Sequence, residues 1–168
     1  TAEIRDLTML LRQIDVSDAL GQARRLLVQK EPERAQEVLA DAMQMDSTNS
    51  MVRFFSGIAH CQLGNYDDAA YLLGQLAKER PGDTDVRIAL ATAYLGQGKM
   101  ADANKELTEA IKLKPARREA CYNMAQLLLV MSPPDAGGAK TYYQKFLDAG
   151  GKPDSKLESR MQMAAPAQ

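Results

Sequence analysis

The chain has 168 residues, 45% of them apolar and 5% aromatic, which is enough for one well-buried domain. Its formal net charge of -1 argues against nucleic-acid binding, and its longest apolar run, residues 127–131, is far too short to span a bilayer. Two Cys do not make a disulfide framework, and no segment alternates apolar and polar residues between turn signals as a strand would.

Residues 1–15 carry Ile4, Leu7, Leu11 and Ile14, spaced 3, 4 and 3 as in a heptad seam. Two heptads are too few for a stable coiled coil alone. The segment is therefore expected as a helix of one of four kinds. It caps the helices after it, ends an upstream coiled coil, pairs with a second copy as a homodimer, or folds back onto the chain. The chain begins at Thr1, not Met. A leader removed before Thr1 would place it in the periplasm or outside the cell, whereas the sparse Cys fit a reducing cytoplasm. The compartment stays open.

From residue 16 the sequence repeats. Leu20, Phe54, Ile88 and Tyr122 lie 34 residues apart, and Leu27, Cys61, Leu95 and Leu129 form a second ladder with the same period. The period divides the chain into 16–49, 50–83, 84–117 and 118–152. Small residues occupy one column, Ala23, Gly57, Ala91 and Ala125. They also occupy a second, Ala35, Ala69, Ala103 and, after a two-residue insertion, Ala139. Large residues fill a third, Leu39, Leu73, Leu107 and Tyr143. A fourth holds Ala42, Leu76, Ala110 and Phe146. Alternating bulk of this kind lets two helices approach and interdigitate. Gly64 and Gly98 fall where a first helix must stop, and Pro81 and Pro115 where a second must end. Pro32 suits the first turn of a following helix. Residues 132–138 read as a longer turn in the last copy. After Pro153, residues 156–163 are expected as a short helical cap bearing Leu157, Met161 and Met163, followed by a tail.

These residues resemble the tetratricopeptide repeat. The third copy carries its pattern most fully, with Leu90, Ala91, Tyr94, Gly98, Ala103, Leu107, Ala110 and Pro115. The second is close behind with Gly57, Gly64, Tyr66, Ala69 and Pro81. The first has Ser47 in place of the closing Pro. The resemblance covers 16–152 and implies an all-α, right-handed superhelical solenoid of antiparallel helix pairs. It further implies that the first helix of each pair lines a concave, protein-binding groove. Its lining would be Leu20, Arg24 and Leu27, then Phe54, Ile58 and Cys61, then Ile88, Thr92 and Leu95, then Tyr122, Gln126 and Leu129. Family members that clamp acidic peptide termini place Lys and Asn in such columns. Here they hold Leu, Phe, Ile and Tyr, so an apolar or amphipathic partner segment is expected.

Catalysis has little to draw on. The one His, His60, shares a column with Leu26, Tyr94 and Leu128 and reads as structural. Adjacent helical residues point about 100° apart, so His60 and Cys61 make no dyad. One His and two distant Cys supply no metal site, and no cofactor is implied. Residues 96–101 look like a phosphate loop but lack a preceding strand. The basic run Lys112, Lys114, Arg117 and Arg118 reads as a solvated turn. The expectation is a non-catalytic scaffold for a protein or peptide partner, with a self-associating structural module as the alternative.

Overall fold

The computed structural model describes residues 2–164. Ala164, expected to begin the tail, instead closes the last helix, and residues 165–168 lie outside the described residues. All regular structure among those described is helical: α1 (Ala2–Val28), α2 (Pro32–Met45), α3 (Ser50–Leu63), α4 (Tyr66–Glu79), α5 (Thr84–Gly96), α6 (Met100–Leu113), α7 (Arg118–Val130), α8 (Ala136–Asp148) and α9 (Ser155–Ala164). Two compact units result, one up to Glu79 and one from Arg80.

In the first unit α1 packs on α2, α2 on α3 and α3 on α4, and α1 also meets α3. In the second, α5, α6, α7 and α8 repeat that scheme, and α9 packs on α8 and α7. Short turns make each pair antiparallel. Within each unit the first helices of the pairs therefore lie on one side and the second helices on the other.

The columns explain the packing. Ala23, Ala35, Leu39 and Ala42 are buried in the first unit, and Ala91, Ala103, Leu107 and Ala110 in the second. Gly57 is Gly because α4 comes so close. A Cβ there would stand 2.6 Å from Cγ of the fully buried Leu73. In the last copy Ala139 and Tyr143 are the buried residues of α8, as the two-residue insertion requires. The turn before them is shorter than expected. Asp135 caps α8 by accepting from the Gly138 N–H, which draws residues 136–138 into the helix.

Gly64 ends α3 in the left-handed region, with φ 79°. Gly98, in the turn after α5, has φ 74°. Lys30 stands one period before Gly64 and adopts the same conformation, φ 63°. A residue with a Cβ pays about 1–2 kcal/mol there that glycine does not. Lys30→Gly is therefore expected to raise stability by about 1 kcal/mol, read as a higher urea midpoint. A lowered midpoint would contradict this.

No helix boundary falls at residue 15. Residues 2–20 contain no Gly or Pro to stop the helix, so α1 runs on into the first repeat. Val16 is its first buried residue; from 4 to 15 every residue is exposed. The heptad seam thus packs neither on the first repeat nor back onto the chain. The C-terminal segment does pack. Leu157 and Met161 are buried against Ala125, Leu129, Ala139 and Tyr143, while Met163 is exposed.

Candidate functional site

α1 and α3, the first helices of their pairs, form one side of the first unit, the side the resemblance implies is inner. Leu20, Phe54, Ile58 and Cys61 are half-buried there, Arg24 is exposed, and Leu27 is buried in the core. The Phe54 and Phe55 rings meet at 5.5 Å, tilted by 58°. Where α1 extends past the α2–α3 corner, a cleft of about 540 Å³ opens. Met9, Val16, Leu20 and Met45 supply its apolar surface, and Arg12 and Asp46 are among its polar residues. Sequence reasoning missed this cleft, because it depends on α1 continuing without a break.

α5 and α7 form the corresponding side of the second unit. Ile88 and Leu129 are buried in its core, Leu95, Tyr122 and Gln126 are half-buried, and Thr92 is exposed. Thr92 donates to the Ile88 carbonyl at 3.0 Å and accepts from Asn123 Nδ2 at 3.2 Å, tying α5 to α7. Leu27, Ile88 and Leu129 therefore belong to the helix-packing cores rather than to an open face.

Tyr122 is covered within its own unit. Its hydroxyl donates to Asp154 Oδ2 at 2.6 Å, and its ring meets Phe146 at 5.0 Å. Burial, reinforced by that bond and the carboxylate's charge, pushes the phenol up to about 12. The same bond holds Asp154 below the usual carboxylate range. Asp154 also caps α9, accepting from Lys156 and Leu157 N–H. The Asp154 N–H donates to Tyr143 Oη at 2.6 Å, and that hydroxyl donates to Glu158 Oε1 at 2.8 Å. This network pins the start of α9 to α7 and α8.

Two ion pairs brace first helices against second ones. Arg53 grips Glu79 with two bonds of 2.8 and 2.7 Å. Arg87 meets Glu106 at 2.6 Å. Arg53 and Arg87 share a column, so the period itself carries the signal that would have found them. The hydrogen bond from Arg53 holds Glu79 below its ordinary pKa. That stabilisation is present above the ordinary carboxylate range and is lost as pH falls through the lowered value.

The residues weighed for chemistry have structural surroundings. His60 Nε2 lies 2.9 Å from Gln36 Nε2, joining α3 to α2. Burial pushes the Cys61 thiol up to about 11 and raises that of Cys121, so neither is a thiolate at neutral pH. Residues 96–101 form the α5–α6 turn, and no strand precedes them among the described residues. Lys112, Arg117 and Arg118 each meet a carboxylate, at Glu109, at Asp85 and Glu119, and at Glu119 respectively. Among the described residues no group of three or more His, Cys, Asp or Glu could hold a metal, and no helix is long and apolar enough to cross a membrane.

Two family models, each described as tetratricopeptide repeat, match residues 61–107 and 88–152, together more than half of the chain. No curated protein matches it. Among solved structures, a tetratricopeptide protein of Thermus thermophilus is similar at TM-score 0.76 and 13% identity, over 89% of this chain and 80% of that one. An O-GlcNAc transferase mutant of Thermobaculum terrenum is similar at TM-score 0.74 and 18% identity over 82% of this chain. This chain spans only 26% of that transferase's length. The second tetratricopeptide domain of human RPAP3, solved with an HSP70 peptide, is similar at TM-score 0.61 and 16% identity, over 69% of this chain and 97% of that domain. At these identities the likenesses show a shared fold of stacked helix pairs.

Proposed function

Because this chain belongs to the tetratricopeptide repeat family, we propose that it is a non-catalytic scaffold that binds an apolar or amphipathic segment of a partner protein on the inner sides of its units. The single observation carrying this reading is the half-buried apolar row Leu20, Phe54 and Ile58, bordered by the open cleft beside α1. Apolar side chains flanked by polar ones, on adjacent helices, suit a helix or extended strand laid between them. That the RPAP3 domain was solved with a bound peptide supports the mode. The chemistry here differs from an acidic-peptide clamp, since Arg24 is the one basic residue among the twelve positions expected from the repeat to line the groove. Two thiols held protonated and a His engaged by Gln36 support a role without catalysis.

Selection from a displayed peptide library tests the reading. The wild-type chain is expected to recover apolar or amphipathic sequences, and Phe54→Glu, with helicity retained, to lose at least tenfold in affinity for them. Recovery of acidic C-terminal sequences, or unchanged binding by Phe54→Glu, would contradict it. Ile88→Glu is the wrong probe, because it would place a charge in the core of the second unit.

A further inference from the structure

The exposed part of α1 carries a second apolar face, turned away from the first. Successive helical residues step by about 100°. Val16, Ala19, Leu20, Ala23, Leu26 and Leu27, which pack in the first unit, therefore occupy about a third of the circumference of α1. Ile4, Leu7, Leu11 and Ile14 lie on the other side, roughly 140° from the centre of that packed face. These four side chains are 65, 58, 52 and 48% exposed, and Leu10 beside them is 53% exposed. The same line of the helix carries Asp18, Gln22 and Arg25 once α1 enters the repeat, all exposed. A solvent-facing line that is polar beside the repeat and wholly aliphatic beyond it is built to be covered.

We propose that a second copy of this chain covers it, the two α1 helices crossing antiparallel near residue 9. The seam reads Ile, Leu, Leu, Ile with spacings 3, 4 and 3, the same in both directions. An antiparallel copy sets Ile4 against Ile14 and Leu7 against Leu11, four matched layers related by a two-fold axis. Leu10 then faces its own copy close to that axis. The first unit packs on α1 only from Val16 onward, past the proposed crossing. A parallel pairing would instead lead from Ile14 directly to Asp18 against Asp18, two like charges at a seam position. Four layers make a small interface, so the dimer forms and dissociates with concentration. This surface is independent of the inner sides proposed to bind a partner.

Sedimentation equilibrium of the whole chain over a concentration series tests it. The wild type, 18.4 kDa, is expected to approach the mass of two chains. Leu7→Asp and Leu11→Asp, both at exposed positions, should stay at one chain with unchanged helicity. Phe54→Glu should dimerise as the wild type does. Under mild oxidation Leu10→Cys should link to its copy and Ile4→Cys should not. A one-chain mass at every wild-type concentration would overturn the proposal, as would dimers that survive both aspartates, dimers lost in Phe54→Glu, or linkage through Ile4→Cys but not Leu10→Cys.

Discussion

Leu107→Ala is expected to lower stability by about 3–4 kcal/mol, within the range for emptying a fully buried leucine site. Leu107 has no exposed surface and belongs to one core cluster with Ala91, Ala103, Ala110, Ala120, Met124 and Leu127. These residues belong to α5, α6 and α7, whose backbones are held by their own hydrogen bonds, so the space cannot readily collapse. The alanine neighbours are also too short to reach into it. Urea unfolding followed by circular dichroism reads the loss as a lower midpoint at an unchanged slope. A change below about 1 kcal/mol would mean that the site refills, and that the column is less tightly packed than its burial indicates.

Arg87→Ala is expected to cost about 3 kcal/mol by the same measurement. The Arg87 and Glu106 side chains are only 16 and 13% exposed. Removing the guanidinium leaves the Glu106 carboxylate poorly solvated and without its partner, and it also removes the bond from Arg87 Nε to the Pro81 carbonyl. A double-mutant cycle with Glu106→Gln isolates the pair, and a coupling near zero would contradict its role. Arg53→Ala should cost less, because Glu79 is half exposed and water can replace the lost contact.

What was legible in the sequence is what the 34-residue period touches. Spacing located the helix pairs, the small-residue contacts and the glycine turns, because each is a local steric demand repeated at fixed intervals. Lys30 shows the limit of reading by residue type. Its φ of 63° is imposed by its place in the repeat, although its side chain disfavours it. Asn49 and Asp83, which cap α3 and α5, lie one period apart and were equally available as a signal. The lining of the candidate site was less legible. Leu27, Ile88 and Leu129 share ladders with half-buried residues, and whether a ladder position meets core or open space depends on which helix packs beside it. Tyr122 illustrates the same point, since Asp154 lies 32 residues away in a segment outside the repeat. The exposed face of α1 was visible as a heptad, but its direction was not. That required knowing that α1 continues unbroken and which of its sides the first unit takes.

The inner sides of the helix pairs are proposed to be the binding surface, and mapping of backbone amide shifts on titration with a peptide recovered by the wild-type chain tests this most directly. The predicted result is a set of perturbed residues on α1 and α3 around Leu20, Phe54 and Ile58, or on α5 and α7 around Leu95 and Gln126, which Phe54→Glu weakens in the first unit. Perturbations confined to the outer helices α2, α4, α6 and α8 would contradict it.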